Sequence, residues 1–311
     1  MIPYLSEAFL TAFLVAVLAS ALPLLLAAIG ETVSEQAGVL GLGIEGVLLV
    51  GGYAGFAVTH ATGGLWLGFA CGALAGMLLS SILMALSVWL GVNQIVVGIG
   101  ITLAGTGISS MLYEARFADS KPRLGAPEVW ALHPLSEIPV LGPALFAQPG
   151  MFYVSFALAA LVSLWLYRTR SGLRLRAAGQ RPVSLDAAGG SVVRTRSIAV
   201  LFGGAMAGLG GAYLALVSAG TFTPGMTHGM GFLAIVVAML GRGRMLRVVL
   251  VSLAYGLFVA GGTVLQLTTL EVSNDVISIL PFIAVLIVLS LFGRRAALPP
   301  ALAVPYVRGA R

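Results

Sequence analysis

Carboxylates and carboxamides set inside apolar sequence are the residues of this chain that could do chemistry. Glu45 lies in GLGIEGVLLVGG, bracketed by Gly41, Gly43 and Gly46. A charge at membrane depth is expensive, and where one is kept it faces a cavity or a partner. The surrounding glycines predict a broken or unwound helix, which survives at that depth only where protein or a water-filled path surrounds it. Two readings stay open for Glu45, a polar group on a solute path or a structural anchor. Glu31 and Glu35, in the preceding GETVSEQAG, are expected in a solvated loop. A second polar set opens with Asn93 and Gln94 and continues through Thr102, Thr106, Ser109 and Ser110. Such groups either tie helices together by hydrogen bonds or line a polar path. A third set, Thr263, Gln266, Thr268, Thr269, Glu271, Asn274 and Asp275, reads mostly as a short outer loop.

Other chemistries have no residues to carry them. The single lysine, Lys121 in SKPRL, does not follow a glycine-rich loop, so no Walker-type phosphate site is present. His60, His133 and His228 are scattered, which leaves no metal motif. Cys71 is the only cysteine, so neither a disulfide within the chain nor a cysteine-based metal site is available. No nucleophile motif surrounds Ser218 or His228. The chain reads as a non-enzyme without cofactor or metal.

The elements that must position these groups are membrane spans. Of 311 residues, 59% are hydrophobic and only 9% charged, against about 25% charged in a soluble domain. The chain is therefore an all-α integral membrane protein in a lipid bilayer, a single polytopic helical bundle over 1–311. Apolar runs near 9–29, 38–59, 65–90, 93–112, 150–167, 197–218, 224–241, 246–267 and 276–293 give about nine spans, with eight to ten allowed. The first residues, MIPYLSEAFL, lack the basic start of a cleavable signal, so the first run reads as a retained span. Rows of small residues (Gly68, Gly72 and Gly76; Gly51 and Gly55; Gly204, Gly208 and Gly211) predict close helix packing.

Arginine sets the orientation. The loop 168–196 holds seven of the 17 basic residues; Arg242, Arg244 and Arg247 form a second cluster, and Arg294, Arg295, Arg308 and Arg311 a third. Each cluster is two spans from the next, so all three fall on one side, which the positive-inside rule makes cytoplasmic, with the C-terminus. The net charge of +6 thus reads as an orientation signal and not as a nucleic-acid footprint. The loop 113–149, with six prolines and mixed charge, is expected outside. Within the basic loop, Pro182 suits a first helical turn and Gly189 and Gly190 a left-handed stop. A two-turn helix from Pro182 to Ala188 is marginal alone in water and needs something to dock against.

These stretches resemble the permease subunits of bacterial ABC importers, the branched-chain amino acid, ribose and nucleoside permease group. Residues 30–52 are similar to that group's "GE…SE/RAGV…N/LGxEGxxLxGA" signature, and NQIVVGIGI at 93–101 to the "NQVVxGxxI" segment of its nucleoside branch. RSGLRLRAAGQRPVSLDAAG at 170–189 resembles its cytoplasmic loop "RTxxGxxLRAxGxNPxAAxxxGI". Gly41 departs from the usual Asn, as do Ser184-Leu185-Asp186 and Val192 from the usual residues after Asn-Pro and Gly. The resemblance implies that Arg181, Pro182, Ser184, Leu185, Asp186, Ala187, Ala188 and Gly189 form a coupling helix that docks on a separate ABC ATPase subunit. It further implies a second permease, identical or homologous, an extracytoplasmic substrate-binding protein, and a place in the bacterial inner membrane. The expected activity is ATP-driven import of nucleosides, with Glu45, Asn93, Gln94, Thr102 and Thr106 on the substrate path. Simple sugars or branched-chain amino acids are the alternative solutes. An H+- or Na+-coupled secondary transporter, which would use Glu45 for ion coupling, is the alternative of another class.

Overall fold

The computed structural model describes residues 6–266, 283 and 298–306. Helix α1 (Glu7–Gln36) starts at Ser6, whose hydroxyl accepts the Phe9 N–H at 3.3 Å, and at 30 residues is the longest of the described helices. After a break at 37–43 come α2 (Ile44–Thr62), α3 (Leu65–Leu83, continuing as a π-helical turn Met84–Trp89) and α4 (Gln94–Phe117). The connecting loop then carries β1 (Val129–Ala131), α5 (Leu141–Phe146) and β2 (Ala147–Pro149), the two strands pairing antiparallel. Helix α6 (Gly150–Arg168) leads into α7 (Arg170–Gln180) and α8 (Pro182–Ala187). The last described helices are α9 (Val192–Tyr213, continuing as a π-helical turn Leu214–Ser218), α10 (Met230–Gly241) and α11 (Met245–Gln266).

Seven helices among the described residues are long and apolar enough to cross a membrane, so a multi-span helical membrane protein is what the sequence encodes. The expected run at 224–241 yields only α10, whose 12 residues reach about 18 Å, short of the ~30 Å of hydrocarbon. Pro224 and Gly225 delay its start. The run at 276–293, and most of the third polar set, lie outside the described residues.

Two loop boundaries shift. Helix α4 continues to Phe117, so the loop expected from 113 begins after that residue. The basic loop is mostly helical, and α7 within it is absent from the sequence reading. Arginine-rich composition hides its buried face, Gly172, Leu175, Ala178 and Gly179, which follows helical spacing.

The glycine rows face one another where α2, α3 and α9 meet. A Cβ on Gly208 would collide with the Gly72 carbonyl oxygen and approach Gly76 Cα at 3.1 Å, and one on Gly51 would lie 2.6 Å from the Gly208 oxygen. Small residues are required because lipid tails supply no hydrophobic drive for helix association, so contact must come from close backbone approach. One end of the bundle is basic. There the Tyr167 hydroxyl donates to the Gly243 carbonyl at 3.0 Å and the segment 298–306 packs on the α1–α2 break, with Ala303 N–H donating to Gly38 O at 3.2 Å.

Gly208→Val is expected to cost about 3 kcal/mol or more through overpacking, seen as loss of folded protein in detergent. Gly107→Ala, on a face of α4 where a Cβ meets nothing within 4 Å, is the control. Equal thermal stability of the two variants would contradict the packing account.

Candidate functional site

Two stretches of non-helical backbone enter the bundle, and polar side chains hold both. The first is 37–43. Glu31 accepts the Gly41 N–H at 2.9 Å and Gln94 accepts the Leu40 N–H at 2.9 Å, while the Thr102 hydroxyl donates to the Leu42 carbonyl at 3.1 Å. These three bonds come from two different helices and fix the hairpin between α1 and α2. The solvated loop expected for Glu31 and Glu35 is not found: both are 2% exposed, because α1 runs on through Gln36 and the break folds back over its last turns. Glu35 Oε1 has no hydrogen-bond partner among the described residues. Beside Glu31 lies a cavity of about 20 Å3, also lined by Ser34, Gly41 and Ser80, with room for about one water molecule.

The second stretch is 219–229. At one end Leu124 N–H donates to Gly220 O at 2.7 Å and the Thr221 hydroxyl to Pro122 O at 3.0 Å. Phe222 is fully buried, edge-on to Tyr53 at 5.6 Å and against Tyr113 at 5.5 Å. At the other end the chain meets Glu45. Thr227 Oγ1 and the Gly229 N–H donate to Glu45 Oε1 at 2.6 and 2.8 Å, and the Gly231 N–H donates to Oε2 at 2.6 Å. The N-terminus of α10 thus points at an acidic side chain, the arrangement that unpaired N–H groups and the helix dipole favour. Tyr255 of α11 lies within electrostatic range of the same group. His228 takes φ 45°, a left-handed conformation rare for a residue with a side chain, and is exposed.

The predicted residues therefore divide. Gln94, Thr102 and Glu45 converge on the stretch 37–46, whose Gly46 packs on the backbone of Ile101 and Thr102. Asn93 instead caps α4, its Oδ1 accepting the Ile95 and Val96 N–H groups at 2.8 and 3.4 Å. Thr106 donates to the Thr102 carbonyl of its own helix at 2.9 Å. Thr227 was not legible as Glu45's partner, since 182 residues separate them; the glycines around 225–231 were the available signal. No group of three His, Cys, Asp or Glu residues could hold a metal ion among the described residues.

At the basic end Arg196 was expected to have only a topological role, and its side chain does more. It is 3% exposed and donates to four carbonyls: Ala37 at 3.2 Å, Val304 at 2.7 Å, Ala178 at 3.4 Å and Ala301 at 3.2 Å. Ala37 caps the C-terminus of α1 and Ala178 lies in the last turn of α7, so the cation sits where two helix dipoles end negative. Helix α8 is anchored by Leu185, buried with Ala178 and Val192. Gly189 stops it at φ +79°, its N–H donating to Asp186 O at 2.9 Å. Val183, Ser184, Ala187 and Ala188 are exposed, as is Arg181 at its start. An open groove of about 460 Å3 runs between α7 and α8, lined by Leu173, Arg174, Ala177, Ser184 and Ala188.

The family model for the permease component of branched-chain amino acid transport systems matches residues 13–289. A putative glucose ABC transporter permease of Haloferax volcanii is 36% identical over 252 residues, 80% of this chain and 76% of that one. A nucleoside ABC transporter permease of Lactococcus lactis is 30% identical over 300 residues, 92% and 93% of the two chains. A guanosine ABC transporter permease of Bacillus subtilis is 29% identical over 309 residues, 95% and 96%. No solved structure matches the chain.

Removing the Glu45 carboxyl strands two N–H groups and a hydroxyl in the interior. Hydrogen bonds to a charged group are worth about 1.5–3 kcal/mol each, so Glu45→Ala is expected to lose about 3 kcal/mol or more. Glu45→Gln keeps one acceptor and should lose less. Thermal unfolding in detergent measures both; an alanine variant as stable as the parent would remove Glu45 from this role.

Proposed function

The chain belongs to the permease-component family of branched-chain amino acid transport systems, and from that membership we propose that it is the membrane subunit of an ATP-driven importer of nucleosides. The observation that carries the energy-coupling part is α8. Six residues do not make a stable helix in isolation, yet this one is anchored from beneath and presents Val183, Ser184, Ala187 and Ala188 outward. Such a surface fits a groove on a separate ATPase subunit. The basic end, with the C-terminus, is then cytoplasmic. A second permease, identical or homologous, an ATPase pair and an extracytoplasmic binding protein complete the assembly in the bacterial inner membrane.

In this reading movement of α8 carries α7 with it. Arg196 holds the Ala178 and Ala37 carbonyls together, so displacement reaches the first break. Gln94 and Thr102 brace that break, and Glu45 links it to the second. Glu45, Gln94 and Thr102, with Asn93 and Thr106 setting the start and course of α4, thereby shape a path that opens to either side by switching between two packed arrangements. Two relatives named for nucleoside or guanosine transport match nearly end to end, which supports nucleosides as solutes. Hexoses are the second reading, favoured by the higher identity of the Haloferax relative over a shorter stretch.

The test is uptake of labelled uridine by the complex reconstituted with its ATPase and binding protein. Asp186→Arg and Gly189→Val are expected to stay in the membrane, bind the ATPase poorly and lose solute-stimulated ATP hydrolysis down to the basal rate. Valine is strained at a positive φ and has space around it, so its effect would come through the end of α8. Normal stimulation in both variants contradicts the coupling role, and glucose outcompeting uridine moves the assignment to hexoses.

A further inference from the structure

Three stretches of backbone that are far apart in sequence touch at the basic end of the bundle. They are Gly38 in the first break, Gly179 in the last turn of α7, and residues 301–303 of the segment 298–306. A Cβ on Gly38 would lie 3.0 Å from the Ala301 carbonyl oxygen and 3.2 Å from Gly179 Cα, and one on Gly179 would lie 2.9 Å from the Gly38 nitrogen. The Ala301 N–H donates to the Gly179 carbonyl at 3.0 Å, and the Ala303 N–H to the Gly38 carbonyl at 3.2 Å. The segment is therefore bonded both to α7 and to the break.

Side chains fix the same segment. Arg196 takes two of its four carbonyl partners from it, Val304 at 2.7 Å and Ala301 at 3.2 Å, and a cation removed from water needs such partners. Tyr306 packs beside Ala178, Leu185 and Val192, the cluster that anchors α8. Pro305 reaches the turn between α3 and α4, where a Cβ on Gly91 would lie 3.9 Å from the proline Cβ. Ala303 supplies an independent indication. It is held at φ +61°, a left-handed conformation rare for a residue with a side chain. Such strain persists only where the surroundings over-determine it, and it gathers at clamps and switches.

We propose that the segment 298–306 is a coupling element, a clip that makes α8, α7 and the first break move as one body; this rests on the reading that α8 docks on an ATPase subunit. Helix α8 is flanked by Arg181, whose φ of −147° and ψ of 76° lie outside helical geometry, and by Gly189 at φ +79°. At both places a push on six residues is absorbed by the backbone unless something holds the helix to its neighbours. Tyr306 against the α8 anchor, and residues 301–303 against α7 and Gly38, bridge those two joints. The clip positions the moving parts and touches neither solute nor nucleotide.

The experiment uses the complete complex in proteoliposomes and reads ATPase binding, ATP hydrolysis and labelled uridine imported per ATP hydrolysed. Replacing 298–306 by glycine and serine of equal length keeps Arg308 and Arg311. It is expected to leave ATPase binding within about two-fold and to lower uridine imported per ATP about ten-fold or more, the scale on which one site is coupled to another. Ala301→Pro removes the N–H that bonds Gly179 and should lower the same ratio several-fold, whereas Ala301→Gly keeps that N–H and the parental ratio. Ala303→Gly relieves the left-handed strain, so it should couple normally and unfold at the same or a higher temperature. A segment that only stabilises the fold would reduce the amount of assembled complex and leave the ratio unchanged. That outcome, or a parental ratio in both the replacement and Ala301→Pro, overturns the clip and leaves the importer reading intact. A parent permease that binds no ATPase overturns the docking of α8, and the clip with it.

Discussion

Backbone that leaves the helix inside hydrocarbon must find every hydrogen bond within the protein, since no water is there to supply one. That constraint accounts for most of the buried polar side chains described here. The break at 37–43 is closed by Glu31, Gln94 and Thr102, and the one at 219–229 by Glu45 and Thr227. Arg196 does the same for the carbonyls at the ends of α1 and α7 and in the tail. Each carboxyl, carboxamide, hydroxyl or guanidinium takes up specific N–H or C=O groups that the fold exposes.

The same bonds give the bundle a mechanical layout. The glycine-packed contact of α2, α3 and α9 is rigid, because backbones in contact leave no slack for sliding. The broken segments are joined to it through single side chains, so they are the parts that can change partners as a unit. Arg196 lies between the exposed α8 surface and the first break, and Glu45 lies between the two breaks. A force applied at the basic end has a short covalent and hydrogen-bonded route to the interior.

Much of this was legible in the residues. Long apolar runs identified the seven helices that, among the described residues, are long and apolar enough to cross a membrane, because periodicity hardly matters when a whole segment is buried in lipid or protein. The glycine rows announced close helix packing because four-residue spacing puts them on one face, but which rows meet, those of α2, α3 and α9, is seen only in the fold. The glycines around Glu45 announced a break. Other features were masked by physics that acts over long sequence distances. Glu31 and Glu35 look solvated locally, and only the return of 37–43 over α1 buries them. Helix α7 hides under its arginines, which composition assigns to a loop. A half-helix such as α10 has the hydropathy of a span, and only Pro224 and the Glu45 cap reveal where it starts. Arg196 has the same local context as Arg194, which is exposed; the carbonyls that separate the two come from residues up to 159 positions away.

On the proposed mechanism, nucleotide hydrolysis at the basic end, and not an ion gradient acting on Glu45, drives the bundle between its two states. Labelled uridine uptake by intact cells measures this directly when the proton and sodium gradients are collapsed with ionophores in one arm and ATP is depleted in the other. The account predicts uptake that persists without the gradients and stops without ATP. Uptake that collapses with the gradients while ATP remains high would contradict it.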